Sequence, residues 1–240
     1  MNLHFLHGFL GHPSDWSYLK NDFCDYKLIF HKIESFMSES EMISDHFISW
    51  AKNFNTINKT SHNNILIGYS LGGRLALHAI VENPHIWKAA IIISAHPGLV
   101  DTEEKEIRYT SDKIWAEKFK NNSWENVIAE WNNQPVFSGT PESFIRQKEH
   151  FNLDSLTKEL INFSLAKQEN LRSKIKNINT PILWLAGKKD IKFSKIISDL
   201  SNLNQYQKIQ ILEKCAHRVP WENKQLFINI CKEFILSFTH

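Results

Sequence analysis

Residues 65–80, ILIGYSLGGRLALHAI, decide how the rest of the chain is read. An apolar, β-favouring run enters Gly68-Tyr69-Ser70-Leu71-Gly72, and a helical pattern then begins at Gly73 and continues through Leu75, Leu77 and His78 toward Ile80. This predicts a strand, a sharp turn and a helix. Glycines two before and two after Ser70 suit a serine carried on so tight a turn, because strand and helix crowd it from both sides. Ser70 is then expected at the carboxyl end of a sheet strand. The N–H of Leu71, at the start of the helix, is placed to donate to a developing oxyanion.

Toward the N-terminus, residues 2–6 read as a short strand running into His7-Gly8-Phe9-Leu10-Gly11. A glycine-bearing loop directly after a strand lets backbone N–H groups approach a ligand, and that of Phe9 is positioned to complete an oxyanion hole with that of Leu71. His7 reads as a residue that orients this loop. Helical character begins at Asp15-Trp16, residues 27–33 form the next strand, and Ile43, Phe47, Trp50, Ala51 and Phe54 give 40–57 helical spacing before a strand at 63–68. Beyond the central helix, KAAIIIS (88–94) is a continuous apolar run of the kind buried on both faces of a parallel sheet.

Alternation then stops. Residues 97–168 are charged and helical in composition, with Trp115, Trp124, Trp131 and Phe137 scattered through them. They are expected to form a helical cap over the carboxyl edge of a core made of 1–96 and 169–240. The sheet resumes at PILWLA (181–186), followed by a helix at 194–203, a strand at 207–212 and a closing amphipathic helix at 222–238. Six strands joined by β-α-β crossovers, with no internal repeat, predict an α/β fold with a mostly parallel sheet and helices on both faces.

The 240 residues suffice for one sizeable α/β domain. A formal charge of +2 lacks the concentrated basic stripe of a nucleic-acid binder, and Arg172, Lys174 and Lys176 read as a solvated helix face. Cys24, Cys215 and Cys231 lie far apart with no C-x-x-C pair, so neither a disulfide framework nor a zinc site is indicated. The start, MNLHFLHGF, has no basic segment leading into a long apolar core, and no run of about 18 apolar residues occurs. The expectation is a cytoplasmic protein, compatible with a monomer, that needs neither metal nor cofactor and meets no membrane.

Two further signals complete the opening one. Asp190, in Gly187-Lys188-Lys189-Asp190, follows a strand end, and His217, in Ala216-His217-Arg218, lies between the last strand and the last helix. A serine hydroxyl is a poor nucleophile and a poor base alone. It needs a neutral imidazole within hydrogen-bond reach, and that imidazole needs an acceptor on its other nitrogen. Ser70, Asp190 and His217 follow the chain order Ser, Asp, His of the α/β-hydrolase architecture, each at the end of a strand.

The segments LHGFLGHPSDW (6–16), GYSLGGR (68–74), HPGL (96–99), WNNQPVF (131–137), LAGKKDIKF (185–193) and AHRVPWEN (216–223) are more specific. In order and spacing the chain resembles the 2-succinyl-6-hydroxy-2,4-cyclohexadiene-1-carboxylate (SHCHC) synthase family of menaquinone biosynthesis. The resemblance implies a lyase on a hydrolase scaffold, in which a Ser-His-Asp triad takes a proton from the substrate ring and pyruvate leaves from an enolpyruvyl ether. It implies a substrate with three carboxylates, held by Arg74, Arg108 and a third cation supplied by Arg146 or Lys148, with Trp131 as a pocket aromatic. Arg74 gains weight from its place in the first turn of the central helix. The cap arginines have a simpler alternative as surface partners of Glu103, Glu104 and Glu106. Asn132 stands where the family usually has tyrosine, Ala216 where it has glycine and Pro220 where it has a second histidine. A carboxylesterase or thioesterase using the same triad covalently remains an alternative, as does a binding protein with a silent site.

Overall fold

In a computed structural model the protein is described at residues 1–37, 45–61, 63–140, 144, 146–200 and 202–238. Strands β1 (Asn2–Leu6), β2 (Lys27–His31), β3 (Asn64–Tyr69), β4 (Trp87–Ile93), β5 (Ile182–Gly187) and β6 (Gln207–Leu212) form one parallel sheet in the order β2-β1-β3-β4-β5-β6. The chain runs from β1 outward to β2 and then returns to the other side of β1, so the direction of winding reverses between β1 and β3. At that reversal the loops after neighbouring strands part and leave a crevice at the carboxyl ends.

The sheet is buried on both faces because its strands are apolar at both parities. On β3, Leu66 packs into one core layer while Ile65 and Ile67 pack into the other, and on β4 Ala90 and Ile92 oppose Ala89, Ile91 and Ile93 in the same way. The first layer is closed by helices α1 (His46–Asn58) and α2 (Leu71–Glu82), which place Phe47, Trp50 and Phe54 beside Leu75 and Ala79. The second is closed by a 3-10 helix, Pro13–Leu19, and by the last helix, with Trp16, Leu19, Phe227 and Phe234 inside.

Between β4 and β5 come α3 (Thr102–Asn121), α4 (Trp124–Asn132) and α5 (Leu153–Asn162), with two short 3-10 turns and no strand among the described residues. These helices have a core of their own, in which Leu10 of the β1 loop meets Ala116, Phe119, Val127, Leu156 and Leu160. Helix α6 (Arg172–Lys176) leads to β5, α7 (Ile191–Ser198) lies between β5 and β6, and α8 (Val219–Glu222) and α9 (Lys224–Leu236) close the chain.

Several expected elements differ in detail. The segment from Asp15 is a 3-10 helix, β2 ends at His31, and the closing helix is broken at Asn223. Asn223 supplies the reason, since its side chain accepts the N–H of Leu226 and starts a new helix. The helix expected at 194–203 instead spans 191–198, starting where the Asp190 side chain accepts the N–H of Phe193. Arg172 belongs to no purely solvated face, because its guanidinium donates to the Gly98 carbonyl at 2.8 Å. Four stretches of expected structure lie outside the described residues: the start of the helix at Ser40 with Ile43, residues 141–143, Ile145 and Ser201. Among the described residues no helix is long and apolar enough to cross a membrane, and no His, Cys, Asp and Glu cluster could hold a metal ion.

Candidate functional site

Ser70 sits between β3 and α2 with φ 52° and ψ −111°, a conformation that side-chain-bearing residues rarely adopt. It is held there from both sides: its N–H donates to Ile93 O at 2.8 Å, and its carbonyl accepts the N–H of Arg74 at 3.1 Å. The turn is tight enough to need glycine at position 72, where an added Cβ would lie 2.4 Å from the His7 carbonyl oxygen. The same closeness brings the loop after β1 against the serine. His7 is buried and fixes this loop as expected, with Nδ1 2.8 Å from the Gly8 carbonyl and Nε2 accepting the N–H of Ile33. The N–H of Leu71 is the first of α2, beyond reach of any helical carbonyl, and Phe9 and Leu71 both border the cavity that Ser70 enters.

Asp190 and His217 are brought together by the ends of β5 and β6. Gly187 permits the approach, since a Cβ there would stand 2.2 Å from the carbonyl oxygens of Cys215 and Ala216. The His217 ring has Nδ1 2.6 Å from Asp190 Oδ2 and Nε2 3.4 Å from Ser70 Oγ. Phe193, Tyr69 and Phe137 pack around the imidazole, with ring centroids 4.8, 5.5 and 5.7 Å away. The loop that carries it is clamped from behind, because Glu222 accepts the backbone N–H groups of both Ala216 and Arg218, and Ser94 donates to the His217 carbonyl at 2.9 Å. Ala216 is not among the residues with positive φ, so glycine's freedom is not needed there.

Two hollows meet at Ser70. The larger, of about 560 Å³, is lined by Arg74, Arg108, Asp112, Glu159, Lys189 and Lys192 together with Trp115, Trp131 and Phe193. The smaller, of about 50 Å³, is lined by Tyr69, Trp131, Asn132, Arg146 and Arg218. Trp131 stands between them, 4.9 Å from the Phe9 ring.

The cations differ in company. Arg108 gives its Nε to both oxygens of buried Asp112 at 2.9 Å, rather than pairing with Glu103, Glu104 or Glu106. Arg146 is held by both oxygens of Asp15, at 2.8 and 3.0 Å, and faces the smaller hollow, whereas Lys148 is exposed and lines neither. Arg74 instead donates to the Phe163 carbonyl at 2.8 Å and to Gln168 Oε1 at 3.3 Å, both neutral acceptors. Burial, with Arg108 nearby, pulls its basicity down to about 9. Arg218, next to the imidazole, donates to Asn132 Oδ1 at 2.6 Å and lies 4.3 Å from the Phe137 ring centroid.

Asp112, Glu159, Arg218 and Glu222 escaped the sequence reading. Asp112 had a detectable signal in its i,i+4 spacing from Arg108. Glu159 had another, as an acid on the buried face of α5 that carries Leu156 and Leu160.

Residues 36–223 match the family model described as serine aminopeptidase, S33. The SHCHC synthase of Klebsiella pneumoniae subsp. pneumoniae is 30% identical over 97% of this chain and 93% of its own length. The chain belongs to the SHCHC synthase family. It is an enzyme on the α/β-hydrolase fold. The SHCHC synthase of Escherichia coli O1:K1 / APEC, 27% identical over 91% of this chain and 87% of its own, extends the family likeness. Among solved structures, MenH from S. aureus superposes with a TM-score of 0.86 over 99% of this chain and 94% of its own at 24% identity. An esterase from Thermogutta terrifontis reaches 0.77 at 16% identity, covering 99% and 90%. The scaffold is thus shared well beyond the SHCHC synthase family.

Proposed function

We propose that this SHCHC synthase family member eliminates pyruvate from 2-succinyl-5-enolpyruvyl-6-hydroxy-3-cyclohexene-1-carboxylate to give SHCHC, in menaquinone biosynthesis and in the cytoplasm. The observation that carries this reading is the placement of Ser70, backed by His217 and Asp190, on the wall of a cavity that Arg74 and Arg108 also line. An ester hydrolase has no need of fixed cations there, whereas a substrate with three carboxylates does. Residues 97–168 act in this reading as a cap over a core of 1–96 and 169–240.

In the proposed reaction Ser70 Oγ takes a proton from the substrate ring while its own proton passes to His217 Nε2. The electron pair left on carbon forms the new ring double bond, and the ring carbon–oxygen bond of the enolpyruvyl ether breaks. The leaving group departs as the enolate of pyruvate and takes the proton from the His217 imidazolium to become pyruvate, which returns the serine and imidazole to their starting state. Asp190 holds the Nδ1–H tautomer and stabilises the imidazolium while it exists. The N–H groups of Phe9 and Leu71 face the oxygen on which negative charge grows during proton removal. The 3.4 Å separation of Nε2 from Oγ tightens when substrate fills the cavity, as such contacts do on ligand binding.

The test is pyruvate release from the enolpyruvyl precursor by the purified protein, coupled to lactate dehydrogenase. Turnover that disappears in S70A supports the reading. Absence of pyruvate alongside rapid cleavage of a simple aryl ester would replace it with a serine esterase.

A further inference from the structure

Glu159 is an acid in an unusual place. Its side chain is 5% exposed, and its Oε1 has no hydrogen-bond partner. It lines the large cavity on the side of Arg74, and its other flank borders a small recess shared with Lys32 and Glu34. An unpaired buried acceptor is destabilising, more so if it is charged, so a carboxyl group left this way on the cavity wall calls for an explanation in the function of the cavity. We propose that Glu159 is a specificity-determining residue: its carboxyl group donates a hydrogen bond to a carboxylate of the ligand, beside the charge of Arg74. This inference rests on the anionic substrate proposed above.

The proton required for that bond is held by the surroundings. Burial raises the Glu159 carboxyl to about 8, with nearby Glu34 adding to the rise and Arg74 and Lys32 opposing it. The other groups that face it do not offset this. Across the cavity Arg108 and Asp112 are engaged with each other. Around the recess stand His7, His12 and His150, of which His7 and His12 are pushed toward the neutral form by desolvation. A ligand carboxylate arriving at Arg74 therefore meets a donor at neutral pH, and meets a second negative charge once Glu159 ionises. The site would accept a carboxylate and reject a neutral amide or ester of similar shape, because only an anion draws on both the cation and the acid.

The test compares wild type with E159Q, which keeps a donor but cannot ionise, and E159L, which keeps volume but has no donor. Between about pH 7 and about pH 8.5 the wild-type KM should rise about fourfold as Glu159 ionises, and that of E159Q less than about 1.5-fold, the remainder coming from Arg74. At about pH 7, E159L should raise KM about tenfold or more with kcat changed less than about threefold. An E159Q profile that tracks wild type, or an E159L KM equal to wild type, would overturn the inference. Should the wild type release no pyruvate, the proposed function fails instead. The same pH and variant comparison is then made by calorimetry with succinate as the probe, where loss of the Glu159 dependence counts against the inference by the same criteria.

Discussion

Replacing Arg74 with methionine should damage function without damaging the fold. Burial lowers the basicity of the guanidinium from its ordinary value to about 9, which at about 1.4 kcal/mol per pKa unit corresponds to roughly 5 kcal/mol for holding the cation there. Part of the side chain opens on the cavity and is wetted, so about half of that, roughly 2–3 kcal/mol, is the relevant cost. Against it stand the hydrogen bonds to the Phe163 carbonyl and Gln168, which together stabilise by about 2 kcal/mol. Methionine fills a similar volume along the same stem and has no charge to desolvate. The net change should lie between zero and about 1 kcal/mol in favour of R74M, which for a chain of this size moves Tm by at most about 2–4 °C upward.

Binding should move the other way. A charge-assisted bond to a ligand carboxylate in a partly dry site contributes about 2–4 kcal/mol, so kcat/KM for pyruvate release should fall about 30- to 1,000-fold. The assays are differential scanning calorimetry of the ligand-free proteins and steady-state pyruvate release on the same preparations. A Tm lowered by more than about 3 °C together with kcat/KM within about threefold of wild type would mean that Arg74 is a structural tie and not an anion receptor.

D190N should lower kcat by about 10²–10⁴, since the amide cannot hold the Nδ1–H tautomer or stabilise the imidazolium, yet should cost less than about 1 kcal/mol of stability because Asn can still accept the N–H of Phe193 and cap α7. D190A should lose both, and equal stability losses in the two variants would contradict the dual role. Acid should destabilise the protein through its buried imidazoles: burial lowers His4 to about 4 and His31, His78 and His96 to about 3. These folded-state values lie below the unfolded one, so stability is intact above about pH 6.5 and falls as the pH drops from there toward 3. His78 stacks on Phe47 at 4.6 Å with Nε2 unpartnered, so H78F should be more stable than wild type by about 1–2 kcal/mol at about pH 5 and near neutral in effect at about pH 7. Superimposable urea midpoints for the two proteins across that range would refute it.

What could be read in advance follows from how local the cause is. The elbow at Ser70, the strands β3, β4 and β5 and the position of His217 are set by short-range chemistry: apolar runs that stop abruptly and glycines where backbones collide. The boundaries that moved were set by side chains acting a few residues away, Asn223 capping α9 and Asp190 capping α7. The roles of Glu222 and Glu159 depend on the assembled fold, although the place of Glu159 on the apolar face of α5 is visible in the sequence. Glu222 works on a loop six residues back that must already be folded against β5, and Glu159 becomes unusual only once α5 is laid over Arg74. That Arg146 and not Lys148 borders the smaller hollow likewise depends on a residue 131 positions away, Asp15.

The distribution of charge around Ser70 carries a consequence for selectivity. Arg108 and Arg146 each carry a carboxylate partner from this chain, Asp112 and Asp15, so their charges are largely compensated before any ligand arrives. Arg74, hydrogen-bonded only to neutral acceptors, is the arginine of the large cavity with more to gain from an incoming anion, and it lies one helical turn from Ser70. A compensated guanidinium still offers its remaining N–H groups as geometry but little net attraction, whereas an uncompensated one in a low-dielectric wall attracts strongly. In the proposed reaction, anchoring at Arg74 sets where the substrate sits, and the two paired arginines read its shape. On the proposed reading, the same triad without that anchor would have nothing to hold a ring proton over Ser70 Oγ, and R74M should shift the protein toward the ester cleavage that such a triad can perform.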